Sequence, residues 1–216
     1  IHASPTCTMV FGDEGGAIGY LIGKENKGLA CMFTMMNSAR LNVGIQGVAI
    51  AERAYQHALA YANDRKQGLA AGDTPKGEGY QMSAIAQHPD VRRNLMTMKS
   101  MTQAARAICY MTAAALDVSH RSEDAAQAKR GAERAGLLTP IAKAFSTDIG
   151  NEVASIGVQI HGGMGFVEET GAAQFMRDAR IAGIYEGTNG IQAIDLVQRK
   201  LPLSGGESVA LEMADM

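Results

Sequence analysis

Cysteine is scarce. Cys7, Cys31 and Cys109 are the only three in 216 residues, an odd number with no short spacing between them. This excludes a disulfide framework and a metal knuckle, and predicts reduced, buried thiols and no metal site. Long hydrophobic runs are missing too. Nothing approaches the ~20 apolar residues that cross a bilayer, so no membrane span is expected; the first residues lack a charged stretch followed by an apolar one, and any targeting sequence would lie before Ile1. Charge of one sign is equally absent. Twenty Lys and Arg stand against 22 Asp and Glu, for a formal net charge of -2. So weak a field does not gather phosphate backbones, which argues against nucleic acid as a partner. A small neutral or anionic ligand fits better.

What is present can build a large core, since 46% of the residues are hydrophobic. Both ends read as cut. Ile1 opens without Met, and "LPLSGGESVALEMADM" passes through a Ser-Gly-Gly linker into an apolar-patterned segment that stops at once. The expectation is a piece of a longer chain.

Strand signals are confined to the start. "TCTMVF" and "AIGYLIG" flank the Gly-rich "GDEGG" and predict a hairpin within residues 1–27. Beyond about residue 28 the period is helical. From Asn37 to Gln67 the positions Leu41, Ile45, Val48, Ala51, Tyr55, Leu59 and Ala62 form one stripe. "GLAAGDTPKGEGY" (68–80) ends it as a loop. A second stripe, Val91, Leu95, Met98, Met101, Ala105 and Ile108, runs from Pro89 to about His120.

"RSEDAAQAKRGAERAG" reads as a polar connection or a frayed helix end. A third helix is predicted to start at Thr139-Pro140, a side-chain cap followed by proline, with Ile141, Phe145, Ile149, Val153, Ile156 and Ile160 inward. A fourth starts near Thr188 or Asn189 and carries Ile191, Ile194, Val197 and Leu201. The expected fold is mainly α: an up-down four-helix bundle over 28–201, with 202–216 a linker and the start of a further segment. Gly44, Gly47, Ala51 and Ala58 would let helices approach closely, within the core or at a subunit interface. The thirteen methionines are read as gap-filling, because Met98 and Met101 fall on the core stripe.

Two segments carry candidate chemistry. "QIHGGMGF" (159–166) places Gly162, Gly163 and Gly165 after the third helix, where they either end the helix or let a large ligand lie against bare backbone N–H groups. "IYEGTNGIQ" holds Glu186 just before a helix start. The helix dipole favours its charge, whereas the flanking Ile184, Tyr185 and Ile191 suggest a dry setting that opposes it. Such a carboxylate can be a capping acid or a general base.

Together these segments, as "VQIHGGMGFVEETGAAQFMRDARIAGIYEGTNGIQ", resemble the C-terminal signature of the flavin-dependent acyl-CoA dehydrogenases. "MNSARLNVGIQGVAIAERAYQHALAYANDRKQG" resembles the first long helix of that family's C-terminal domain, and "IHASPTCTMVFGD" the end of its middle β domain. "HASPTC" and "MFTMMNSARL" are most similar to the longer subgroup of methylmercaptopropionyl-CoA and broad-range fatty acyl-CoA dehydrogenases.

The resemblance implies FAD as cofactor and an acyl-CoA substrate oxidised to a trans-2-enoyl-CoA. It makes Glu186 the base that takes the α-proton while the β-hydrogen leaves as hydride, with the Glu186 N–H bonding the thioester carbonyl beside a flavin hydroxyl. Asn37, Arg40 and Gly187 would meet the substrate. Arg65, with Gln159, Ile160, His161, Gly162 and Gly163, would meet the adenosine diphosphate part of a neighbouring subunit's flavin, and Thr188 and Asn189 the subunit's own. By itself His161 reads as a surface or second-shell histidine.

Gln67-Gly68, Gly190 and Pro89 depart from the commonest family pattern, and His88 is an even-handed candidate for flavin contact. Electron-transfer flavoprotein is the implied acceptor, a homodimer or homotetramer the implied assembly, and the bacterial cytoplasm the expected compartment, with mitochondria left open. The resemblance also implies that further domains complete the site, so this stretch alone is expected to be inactive. An acyl-CoA oxidase or flavin monooxygenase on the same fold, and a non-catalytic oligomerisation bundle, remain alternatives.

Overall fold

The computed structural model describes residues 1–74 and 81–214, so the second half of the expected 68–80 loop lies outside the described residues. Three long helices build the core: α1 (Gly28–Asp64), α2 (Pro89–Arg121) and α3 (Ala125–His161). Shorter helices follow: α4 (Gly163–Phe166), α5 (Ala172–Ala179), α6 (Asn189–Asp195) and α7 (Glu207–Ala214). No helix is long and apolar enough among the described residues to cross a membrane.

The direction of each long helix follows from its neighbours. Gly44 lies against Ala142, Gly47 against Ser146, and Gly157 against Ala54, so α1 and α3 run parallel. Gly157 also meets Met98, while Cys109 reaches Ser146 at 3.3 Å, so α2 runs antiparallel to both. Arg106 of α2 pairs with Glu52 of α1 at 2.6 Å. The predicted stripes supply this core: Leu41, Val48, Ala51, Ala58 and Ala62 of α1 and Leu95, Met98 and Ala105 of α2 are buried in one cluster. Ile45, at 39% exposure, and Phe145 of α3, expected inward but 41% exposed, are the exceptions; α3 meets Gly44 and Gly47 of α1 through Ala142 and Ser146, which turns Phe145 outward. Gly44 and Gly47 serve the internal α1–α3 contact, where a Cβ on Gly47 would stand 2.3 Å from the Ser146 carbonyl oxygen.

Four expectations are corrected. First, α3 does not begin at Thr139-Pro140. Its cap is Asp124, whose Oδ1 accepts from the N–H groups of Ala126 (2.8 Å) and Gln127 (3.4 Å), and the polar stretch read as a connection forms its first turns. Thr139 Oγ1 instead donates back to the Ala135 carbonyl at 2.7 Å, and Pro140 sits buried inside the helix. An interior proline costs about 3 kcal/mol; packing along both flanks of a 37-residue helix outweighs it.

Second, the described residues hold no fourth long helix. α6 has seven residues and passes into a π turn, Leu196–Lys200. Its phase is opposite to the prediction: Gln192 and Asp195 are buried, while Ile191, Ile194, Val197 and Leu201 are exposed. Asp195 faces inward because it holds buried Arg40.

Third, residues 1–27 form no strand. Only a Gly16 N–H to Gly12 carbonyl turn remains of the hairpin, and Met9, Phe11, Ile18 and Tyr20 are exposed. Two short strands with both faces in water are not stable by themselves. Fourth, Cys109 is buried but Cys7 and Cys31 are exposed, because that uncovered segment and the first turn of α1 carry them.

Gly47→Ala is expected to destabilise the chain by about 1–3 kcal/mol, since its methyl would push backbone against backbone. Gly136→Ala, whose Cβ meets nothing closer than Leu203 Cδ1 at 3.7 Å, is expected to stabilise by up to about 1 kcal/mol. Urea midpoints of the two variants check both signs.

Candidate functional site

The candidate residues fall at two ends of the bundle. Lys143 and Gly162 lie nineteen positions apart along α3, a separation of about 28 Å.

At one end a 3₁₀ turn, Arg180–Gly183, delivers the chain to Glu186. The N–H groups of Ile184 and Tyr185 both donate to the Ile181 carbonyl, at 2.9 and 3.1 Å, and the Tyr185 hydroxyl donates to Gln46 Oε1. Glu186 then takes φ +55° and Gly187 φ +84°, two successive left-handed residues. The first is unusual for a residue with a side chain and costs of the order of 1 kcal/mol or more. Thr188 caps α6 by accepting from the Ile191 N–H at 3.3 Å.

The turn is held from inside the protein. Lys143, with no exposed surface, donates to the Gly187 carbonyl at 2.8 Å and to Asn189 Oδ1 at 2.9 Å. Gln192 Nε2 donates to the same Gly187 carbonyl at 3.0 Å. Asn189 Nδ2 donates to Asp148 Oδ1 at 2.7 Å and to Thr147 Oγ1 at 3.0 Å. Arg40 and Asp195 form a buried ion pair at 3.1 Å, and a Cβ on Gly187 would lie 3.8 Å from the Arg40 guanidinium. By contrast, neither the half-buried Glu186 carboxylate nor its N–H bonds to any described residue. The dry setting expected around it is not complete, since Ile184 and Ile191 are about half exposed.

The structure thus brings Glu186, Gly187, Thr188, Asn189 and Arg40 together, with Asn37 exposed one turn before Arg40 on α1. It also assigns two of them internal work. Asn189 spends its amide on α3, leaving only backbone for a ligand, and Arg40 is turned toward Asp195 with its buried Nε unpartnered. Lys143, Gln192 and Asp195 escaped sequence reasoning. The available signal was only a lone cation in "PIAKAF" and a lone acid in "IQAIDL", each off the predicted apolar stripe and so inconspicuous by period.

At the other end, Ile160 and His161 point into the core. His161 is therefore no surface residue: its Nδ1 bonds the Gly157 carbonyl at 2.7 Å, and its ring stacks on Tyr61 at 4.4 Å and lies 4.7 Å from His57. Burial, His161 and Arg53 together hold His57 below the usual histidine range. The main chain beyond is bare. Gly162 (φ +60°, ψ -138°) and Gly163 are exposed, with nothing within 4 Å of a Cβ at either, and Gln159 is exposed as well. Arg65, exposed at the end of α1, belongs to this same end through the Tyr61–His161 stack. His88 Nε2 lies 2.8 Å from the Gln67 carbonyl and is engaged there. A guanidinium at the same end of the bundle as bare glycine backbone fits a diphosphate such as that of FAD. At the Glu186 end, a free N–H next to a free carboxylate fits a carbonyl with an acidic C–H beside it.

Known proteins are similar to this chain. The family description "Acyl-CoA dehydrogenase, C-terminal domain" matches residues 26–201. The 3-methylmercaptopropionyl-CoA dehydrogenase of Ruegeria pomeroyi is 51% identical over all of this chain and 35% of its own length. The broad-specificity linear acyl-CoA dehydrogenase of Mycobacterium tuberculosis is 33% identical over 97% of this chain and 34% of its own. Among solved structures, an acyl-CoA dehydrogenase from Bacillus anthracis complexed with FAD superposes with a TM-score of 0.68 at 28% identity, covering 88% of this chain and 31% of that one. The chain therefore spans about a third of the length of the curated relatives it matches, and it belongs to the acyl-CoA dehydrogenase family.

Burial pulls Lys143 down from its ordinary 10.5 to about 8, against the opposing pull of Asp148 and Glu186 and with the help of Arg40. Between those two values the unfolded chain binds the extra proton, so folding stability rises as pH climbs from about 8 toward 10.5. In Lys143→Met that rise is expected to vanish, as thermal melts of the two proteins across this range will show.

Proposed function

We propose that this member of the acyl-CoA dehydrogenase family provides the base and part of the flavin cradle for α,β-dehydrogenation of an acyl-CoA thioester to a trans-2-enoyl-CoA. The observation that carries the reading is Glu186: a carboxylate unpaired by any described residue, on a turn whose next carbonyl is clamped by Lys143 and Gln192. A capping acid would be spent on helix N–H groups, and here Thr188 does the capping.

The chain's own groups then divide the work. Glu186 takes the α-proton onto its carboxylate. Its N–H donates to the thioester oxygen, where negative charge grows as that proton leaves, so the acid and the donor come from one residue and keep a fixed relation. FAD, when bound, supplies the acceptor for the β-hydrogen and its electron pair. Arg40, against the Gly187 turn, adds positive field on the same side, and Asn37 offers an exposed amide to the CoA arm.

Arg65 and the Gln159–Gly163 main chain would hold a diphosphate about 28 Å away. That distance favours their serving a second subunit's FAD while Thr188 and the Asn189 backbone border the subunit's own, in a homodimer or homotetramer. Electron-transfer flavoprotein is the acceptor this reading implies. The bacterial relatives favour the cytoplasm.

Anaerobic mixing of the FAD-loaded enzyme with a series of acyl-CoAs is expected to bleach the flavin absorbance. Glu186→Gln should slow that bleaching by about 10²–10⁴-fold, the usual worth of a general base. Bleaching at an unchanged rate would remove Glu186 from the chemistry, and peroxide release in air would mark an oxidase instead.

A further inference from the structure

The long helix that carries Lys143 is otherwise a packing element, yet at this one position it buries a cation completely. A lysine ammonium has three protons to place and is costly to desolvate, so its two acceptors define what it is there to hold. One is the carbonyl of Gly187, the peptide oxygen directly after Glu186, at 2.8 Å; the other is Asn189 Oδ1, at 2.9 Å. A left-handed pair at Glu186 and Gly187 needs such restraint, because relaxing either φ to the ordinary region would swing the carboxylate away. Gln192 adds a second donor to the same carbonyl but brings no charge.

The charges facing the ammonium are few. Arg40 comes from α1, already paired with Asp195 of α6. Asp148 comes from α3 and is bonded to Asn189. Glu186 lies on the turn and is paired with no described residue. Lys143 is thus the buried cation whose field acts on the unpaired carboxylate, and the interaction between them is reciprocal.

We propose that Lys143 is the positioning residue of the catalytic turn: sealed inside the bundle, its ammonium clamps the Gly187 carbonyl and the Asn189 side chain, and so fixes where the Glu186 carboxylate stands and the charge it sees. The proposal rests on the reading of Glu186 as base. It adds that the base depends on a protonated lysine that never meets substrate, so the reaction carries an alkaline limit set by a group buried in α3.

Two measurements test it. In the FAD-loaded enzyme, kcat is expected to fall as pH rises through the region near 8 where Lys143 loses its proton. Lys143→Gln, which keeps a donor but no charge, should lower kcat about tenfold at pH 7 with KM unchanged and abolish that alkaline limb. A variant that keeps both the limb and the parent's kcat overturns the proposal.

The second measurement needs neither turnover nor a folded lysine variant. The Lys143 side chain is titrated by NMR in this chain and in its Glu186→Gln form. Loss of the facing carboxylate should move the lysine midpoint down by about half a pH unit. An unmoved midpoint also overturns the proposal. Should Glu186→Gln bleach flavin normally, the base assignment fails, and the titration still reports whether lysine and glutamate are coupled.

Discussion

The fold depends on one close contact. Gly47 of α1 and Gly150 of α3 let the two backbones touch, with the Cβ position of Gly150 only 3.0 Å from the Gly47 carbonyl oxygen. No residue with a side chain at Gly47 permits that approach. Because the two helices run parallel there, the contact sets the register at both ends at once. It brings Arg40 to the Gly187 turn and slides Tyr61 beneath His161. α2 then closes the third side with alanine, Met98 and Cys109 rather than bulky aromatics.

The interior is unusually polar near the Glu186 end. Arg40, Asp195, Lys143 and Gln192 are all buried there, and Arg40 Nε and Gln192 Oε1 have no partner among the described residues. A buried ion pair seldom adds net stability over well-packed apolar residues. What it does here is positional: Asp195 turns α6 so that its polar edge faces the core, and the carbonyls around Glu186 meet donors on α3 and α6. The consequence is the exposed row Ile191, Ile194 and Val197, which α6 and the π turn after it present outward.

At the opposite end the same economy uses aromatic stacking. His161 is gripped by Tyr61, His57 and its own helix, so the chain leaves α3 in one direction and Gly162 can take a backbone geometry few other residues adopt. Here the Ile160 and His161 side chains of the predicted ligand-binding run are structural, and the glycine backbone after them is the surface on offer. Rigid helices of about 28 Å between the two ends keep their spacing constant, which a loop-built site would not.

Much was legible in the sequence. The stripes of α1 and α2, the turn at Gly162–Gly163 and the singularity of Glu186 follow from local rules: periodicity, glycine's freedom, and a lone acid just before a helix start, which by itself reads as cap or base alike. The starts of α1 and α3, the phase of α6 and the state of residues 1–27 did not follow. Pro140 lies within a helix because α1 and α2 pack on either side of it, and Asp195 faces inward because Arg40, 155 positions earlier, requires a partner. The sequence by itself determined which residues could carry chemistry. Tertiary structure alone decided which were spent holding the others, since burial and pairing between distant residues are properties of the packed whole and leave no local period to read.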